Sequence, residues 1–364
     1  MRESPALFRA FPVLRQRLAL ARCTQLPTRV HRLDALGREL EIADLWIKRD
    51  DETGEIYGGN KPRKLDFLLG DALARKYRSI LTFGGIGTNH GLATAVYARQ
   101  FGLRCILGLV HQPVTEKVRG NLLLDHAFGA ELHYAPTIPR LVVAMLRVYA
   151  GELRRGGRPY IIGPGGTSLL GVLGYVNAAL ELKEQIDAGE LPAPDWVFLP
   201  IGSGGTLAGL ALGFKLAGLD TRIVGVLVND IVPPTAGRLA SLANRAHARL
   251  RRLAPGFPFV HVAASEIVVE RRFLGRGYAV PSLAARHARD DLARHEGISA
   301  ESTYTGQCLA ALRAVAQDEP YRGRRILYWH TFSSAAVERR VALPEYRSLP
   351  LAFHELFHGA PLAD

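Results

Sequence analysis

Read for apolar and polar positions alone, the chain alternates short apolar runs with longer stretches of helical period. "SILTFGG" at 79–85, "RCILGLV" at 104–110 and "AELHYAP" at 130–136 are brief and rich in β-branched or aromatic residues, which predicts strands. "GLATAVYARQFG" at 91–102 falls between two of them with helical spacing. The pattern returns in "DWVFLPIGSGGT" at 195–206, "TRIVGVLVND" at 221–230 and "RRILYWHTFSS" at 324–334. Strands that alternate with helices predict parallel sheets covered on both faces. Two sheet-building blocks follow, one from about Leu65 to Gly174 and one from about Asp195 onward. Between them "LELKEQIDAGELPAP" at 180–194 reads as a crossing helix stopped by Gly and Pro.

Composition narrows the class. A chain of 364 residues is long for one core, so two lobes are expected. No apolar run approaches the roughly 20 residues that a bilayer crossing needs, which points to a soluble protein without a membrane partner. The formal charge of +12 comes almost wholly from Arg residues scattered from Arg2 to Arg347. Their short clusters lack aromatic interleaving or a helix-turn-helix pattern, so nucleic acid is not the expected partner. Cys23, Cys105 and Cys308 have neither metal nor redox spacing, which points to a reducing cytoplasm and to no metal site. The N-terminal stretch, with alternating prolines and leucines, is expected to wrap a domain surface as an arm.

Three Gly-rich loops each follow a predicted strand: "FGGIGTNHGLATA" at 83–95, "IIGPGGTSLLGVLGY" at 161–175 and "LPIGSGGTLAGLALG" at 199–213. Such a turn presents unpaired backbone N–H groups to an anion at a helix N-terminus. The first approaches a dinucleotide fingerprint, but "RCILGLVHQPV" supplies no acidic residue for a ribose, so NAD is not expected. No Walker-type lysine motif is present. The third loop is the sharpest phosphate cradle. Gly202, Ser203, Gly204, Gly205 and Thr206 offer consecutive N–H donors and two hydroxyls, which suits a terminal monophosphate.

"EIYGGNKPRKLDFLL" at 55–69 starts a helix with two glycines, an asparagine and three cations, at the end where acids are usual. Taken with "GGIGTNH", "GGTSLLGVLGYVNAALEL", "GSGGTLAGL", "GYAVP" and "EGISAESTYTGQ", in that order, it resembles the 1-aminocyclopropane-1-carboxylate deaminase and D-cysteine desulfhydrase family. These are pyridoxal-phosphate enzymes of the tryptophan-synthase β type. The likeness runs from about Trp46 to Ser334. It implies an α/β fold of two three-layer α/β/α domains with mostly parallel sheets. The large cofactor-binding domain is expected over 1–65 and 175–364, and the small domain over 66–174.

The resemblance makes Lys61 the lysine that bonds pyridoxal 5'-phosphate, with Lys64 as a lesser candidate for the site. Like charge from Arg63 and Lys64 is expected to lower the Lys61 pKa. The phosphate falls to Gly202, Ser203, Gly204, Gly205 and Thr206. Asn89 lies beside the cofactor ring, and Thr88, Asn89 and His90 receive the substrate carboxylate. Tyr304 and Tyr278 approach the substrate, and Thr331 meets the pyridine nitrogen.

The implied reaction is α,β-elimination from a small amino acid to a 2-oxo acid and ammonia, as in a D-cysteine desulfhydrase. The alternatives are 1-aminocyclopropane-1-carboxylate deamination and cofactor binding without turnover. The deaminase branch carries a glutamate after the key tyrosine, where this chain has Thr305. Other departures are Gly87 and Thr88 in place of Gln-Ser, Glu301-Ser302-Thr303 in place of Asp-Pro-Val, and Phe332 in place of glycine. The family also implies a homodimer.

Overall fold

The computed structural model describes residues 4–231 and 233–362. Ten strands form two sheets: β1 Val30–Arg32, β2 Leu45–Arg49, β3 Ser79–Gly85, β4 Arg104–Val110, β5 Glu131–Ala135, β6 Tyr160–Ile162, β7 Trp196–Ile201, β8 Arg222–Leu227, β9 Ile267–Glu270 and β10 Ile326–His330. The six runs read as strands all appear. β6 is the strand expected ahead of the second Gly-rich loop, whereas the short β1 and β9 and the charged β2 carry too weak a pattern to be read from the sequence.

The six-stranded sheet has the order β1-β2-β10-β7-β8-β9 and the four-stranded sheet β5-β4-β3-β6. Only β1 runs antiparallel to its neighbour, β2. The four-stranded sheet is drawn wholly from residues 79–162. That membership supports the proposed division into a small domain at 66–174 and a large one built from the flanking segments.

The central strands are buried throughout, and the core that each side chain joins alternates with period two. In β7, Val197, Leu199 and Ile201 face one core while Trp196 and Phe198 face another. In β4, Cys105, Leu107 and Leu109 join the first core, and Ile106 packs on the far side with Leu81, Leu141 and Met145. Helices cover both faces, so the strands read as nearly continuous apolar runs rather than as clean alternation. The N-terminal residues do form an arm: in the helix Ala6–Ala10, the Leu7 backbone N–H donates to Asn177 Oδ1 at 2.9 Å, and Arg9 pairs with Glu184. Residues 1–3 of that arm lie outside the described residues.

Parallel strands end in register, and their carboxyl ends are where open α/β sheets bind ligands. The loops after β3, β7 and β10 all border a single cavity of about 660 Å³.

Candidate active site

Lys61, the first residue of the helix Lys61–Ala74, lines this cavity with Asn60 as the preceding cap residue. The two glycines before it are required by close approach. A Cβ on Gly58 would sit 1.9 Å from the Asp51 carbonyl oxygen, and Gly59 has φ +80 with the Thr331 carbonyl 2.7 Å from the Cβ position. They let the end of β10 lie against the lysine loop. The Asn60 N–H donates to Thr331 O at 3.1 Å, and the Gly58 N–H donates to Ser333 Oγ at 2.8 Å.

Burial lowers the Lys61 pKa from 10.5 to about 8, partly opposed by the carboxylate of Glu301. The expected field from Arg63 and Lys64 is not its origin. Arg63 points away from the cavity into a buried ion cluster, with Nη2 to Asp50 Oδ1 at 2.7 Å and Nη1 to Glu181 Oε2 at 2.9 Å. Lys48 joins Glu181 at 2.7 Å, while Tyr175 and the Trp329 indole each donate to Asp50 Oδ2 at 2.7 Å. Burial alone would raise the Glu181 pKa, yet Arg63 and Lys48 hold it below the usual carboxylate range. The cluster ties the helix Lys61–Ala74 to β2, β10 and the helix Leu173–Asp187, and so fixes the backbone that carries Lys61. Lys64 does line the cavity. It is held well below an ordinary lysine pKa, first by burial and then by the charge of Lys61, and its Nζ donates to Gly165 O at 3.1 Å.

The loop after β7 runs into the helix Gly205–Ala217. Gly202, Ser203, Gly204 and Thr206 line the cavity, whereas Gly205 lies behind the wall. The glycines answer to packing on the protein side. Gly204 has φ +78, and a Cβ there would meet Leu239 Cδ2 at 2.3 Å, while one on Gly205 would meet Thr167 Oγ1 at 2.5 Å. Two other segments complete the cradle: the Thr167 and Ser203 hydroxyls bond at 2.7 Å, and Asn60 Nδ2 donates to Thr206 Oγ1 at 3.2 Å. The loop at 163–167, read from sequence only as glycine-rich, is thus part of the site.

Thr88, Asn89 and His90 open the helix Asn89–Gln100 and line the cavity. The Thr88 hydroxyl caps that helix by accepting the Gly91 N–H at 3.3 Å. The space vacated by Gly87 is filled from behind, because its Cβ would meet Val118 Cγ2 at 2.6 Å, and Gln112 accepts its N–H at 3.2 Å. His90 is buried, with Nε2 3.1 Å from the Thr82 hydroxyl. Its pKa lies well below an ordinary histidine, through burial and then the charges of Lys61 and Lys64.

The Tyr304 hydroxyl donates to Tyr278 at 2.9 Å, and both phenols keep their protons because burial raises their pKa values. Thr331 and Phe332 form the wall at the end of β10, with Lys117 Nζ 4.0 Å from the centre of the Phe332 ring. Thr305 does not face the cavity. It is fully buried, and its hydroxyl is 3.1 Å from Glu301 Oε1. Glu301, seen from sequence only as a departure, is the one carboxylate among the described lining residues. It accepts the backbone N–H groups of Thr303, Tyr304 and Thr305 at 2.7 to 3.0 Å and thereby holds Tyr304 in place. An acid four residues ahead of the first helical residue lies outside the usual capping positions, so no local sequence signal marks it.

A buried amine with a depressed pKa, facing a cradle of N–H groups and hydroxyls across a cavity of this size, fits an aldehyde that carries a phosphate. Comparison with known proteins agrees. The profile described as "Pyridoxal-phosphate dependent enzyme" matches residues 24–331. A putative 1-aminocyclopropane-1-carboxylate deaminase from Pyrococcus horikoshii is 35% identical over 306 residues, covering 84% of this chain and 88% of that one. A D-cysteine desulfhydrase from Salmonella choleraesuis is 34% identical, covering 84% and 89%. The crystal structure of an ACC deaminase homologue superposes with a TM-score of 0.74 at 30% identity, over 90% of this chain and 95% of that one. A threonine deaminase from Solanum lycopersicum, at 16% identity and a TM-score of 0.57, shares the fold.

Proposed function

Since the chain belongs to the pyridoxal-phosphate-dependent enzyme family and uses that cofactor, we propose that it is a lyase acting on a small amino acid with a β leaving group, in the manner of a D-cysteine desulfhydrase. The products are a 2-oxo acid and ammonia. The observation that carries this reading is the buried Lys61 amine, with a pKa of about 8, facing the cradle at Gly202–Thr206. When bound, pyridoxal 5'-phosphate supplies the electron sink that acidifies the substrate Cα–H.

The chain's own groups divide the remaining work. Neutral Lys61 is the base that takes the Cα proton. The backbone N–H groups at 202–206, the hydroxyls of Ser203 and Thr206, and Lys64 would hold the phosphate. Asn89 and Thr331 would meet the ring, and the N-terminus of the helix Asn89–Gln100 would receive the substrate carboxylate. Tyr304 donates its hydrogen bond to the Tyr278 oxygen, which leaves the Tyr278 hydroxyl hydrogen free to serve the departing group.

A second reading is favoured by Glu301. Its carboxylate stands at the same helix start where the deaminase branch places a glutamate, so ring opening of 1-aminocyclopropane-1-carboxylate is the alternative. Product analysis separates them. Pyruvate from D-cysteine and from β-chloro-alanine, with little 2-oxobutanoate from the cyclopropane substrate, is the expected outcome. 2-Oxobutanoate alone would establish the alternative. A cytoplasmic homodimer belongs to the same proposal, supported by the family likeness; among the described residues no helix is long and apolar enough to cross a membrane.

A further inference from the structure

His90 carries a buried nitrogen for which the proposed chemistry has no use. Its Nδ1 is out of reach of solvent and has no hydrogen-bond partner. The protonation of the ring can be read from its other side. The Thr82 hydroxyl donates to the Ile162 carbonyl at 2.8 Å, so its hydrogen is committed there. At 3.1 Å the same oxygen can then only accept from His90 Nε2. The hydrogen is therefore on Nε2, and Nδ1 holds a lone pair. A buried acceptor without a donor is costly unless some state of the protein supplies one.

The donor is close at hand. A Cβ placed on Gly166 would lie 3.3 Å from His90 Cε1, the carbon next to Nδ1, and 3.5 Å from Lys64 Cδ, so the lysine stem and the imidazole edge flank the same glycine. Lys64 Nζ already donates to Gly165 O at 3.1 Å. Gly165 in turn abuts the cradle, since a Cβ there would be 2.5 Å from Ser203 Oγ. An ammonium has three hydrogens to place. Gly165 O takes one, the His90 Nδ1 lone pair beside the same glycine is an open acceptor for a second, and the third is left to point at the cradle.

We propose that His90 is a positioning residue for cofactor binding: its Nδ1 lone pair, fixed by the Thr82–Ile162 relay, accepts a hydrogen from Lys64 and aims the Lys64 ammonium at the phosphate bound by Gly202–Thr206. Phosphate binding supplies the negative charge that restores the Lys64 proton against burial and the neighbouring Lys61. Facing His90 are Lys61 and Lys64 from the helix Lys61–Ala74 and Thr82 from β3, with no carboxylate among the charges that act on it. This rests on the cofactor assignment and adds the mechanism by which a histidine outside the phosphate loop controls phosphate affinity.

The test compares His90→Gln with His90→Asn. Gln places an amide near Nε2 and keeps the donor to Thr82 without the second acceptor; Asn places its oxygen near Nδ1 and keeps that acceptor. Dissociation constants of the holoenzyme are measured for pyridoxal 5'-phosphate and, after exchange, for pyridoxal without the phosphate. For the phosphorylated cofactor His90→Gln is expected to weaken binding roughly 10- to 100-fold, the range for a hydrogen bond to a charged group. His90→Asn should recover most of it, and pyridoxal should bind both variants like the parent. Addition of Lys64→Met to His90→Gln should cost little more than Lys64→Met alone. Equal affinity of His90→Gln and parent for pyridoxal 5'-phosphate, equal losses with both cofactors, or a nitrogen-15 spectrum showing a hydrogen on Nδ1 would overturn the proposal. Failure of the parent itself to retain pyridoxal 5'-phosphate would instead strike at the cofactor assignment.

Discussion

Replacing Glu301 by Gln tests whether burial sets the reactivity of Lys61 and one carboxylate moderates it. Burial takes the lysine from 10.5 to about 8. That lowering corresponds to about 3 kcal/mol of preference for the neutral amine. At about pH 7.5 roughly a quarter of the lysine is then neutral, against roughly one part in a thousand for an ordinary lysine. Glu301 is the one charge that favours the ammonium, so its neutralisation moves Lys61 further down and enlarges the reactive fraction. Gln retains an oxygen for the N–H groups of Tyr304 and Thr305, which keeps the helix start intact. The assay is the rate of visible-absorbance gain when apo-protein is mixed with pyridoxal 5'-phosphate, followed across pH. The parent should inflect near 8 and Glu301→Gln clearly below it, with the faster capture at neutral pH. A linked effect has a definite sign: with the folded pKa below the unfolded one, the Lys61 contribution to apo-protein stability improves as pH rises from about 8 toward 10.5. A parent inflection near 10, or an upward displacement in Glu301→Gln, would refute the reasoning.

Gly204→Val should lower stability by about 2–5 kcal/mol, from a left-handed backbone position and a collision with Leu239 together; urea titration reports it, and cofactor affinity should fall with it because the cradle moves. Arg63→Met leaves Asp50 buried without a cation and Glu181 with Lys48 alone, so a loss of about 3–5 kcal/mol is expected by the same titration, and a neutral result would show that the cluster does not fix the lysine helix. Asp125 is fully buried with no hydrogen-bond partner at either carboxylate oxygen, and burial alone holds its carboxyl pKa well above the usual value. Its cost is therefore absent below about pH 4 and grows as pH rises toward the folded pKa. Asp125→Asn should raise the melting temperature at pH 8 and not at pH 4; equal effects at both values would show that Asp125 is not the titrating group.

Local pattern determined the larger share of what the chain is. The apolar runs of β3, β4, β5, β7, β8 and β10 are dictated by burial on both faces, and a run of that kind is legible without its neighbours. The glycine-rich turns and the lysine after Gly59-Asn60 likewise announce a phosphate cradle and an amine, because both depend on consecutive residues. Direction and distance across the fold are different. Arg63 and Lys64 are adjacent in sequence, yet the helix turns one into an ion cluster with Asp50 and Glu181 and the other toward the cavity. Thr305 stands next to Tyr304 but is buried behind it, and Glu301, four residues earlier, supplies the only carboxylate of the described wall because it caps the helix from the cavity side. Gly204 and Gly205 are glycines on account of Leu239 and Thr167, partners 35 and 38 residues away in the chain, not because of the phosphate. The tautomer of His90 follows from a carbonyl 72 residues distant, at Ile162. Sequence encodes which residues are apolar, turn-forming or reactive; which reactive groups meet, and which carry a proton, is decided by packing between elements whose separation along the chain carries no trace of their contact.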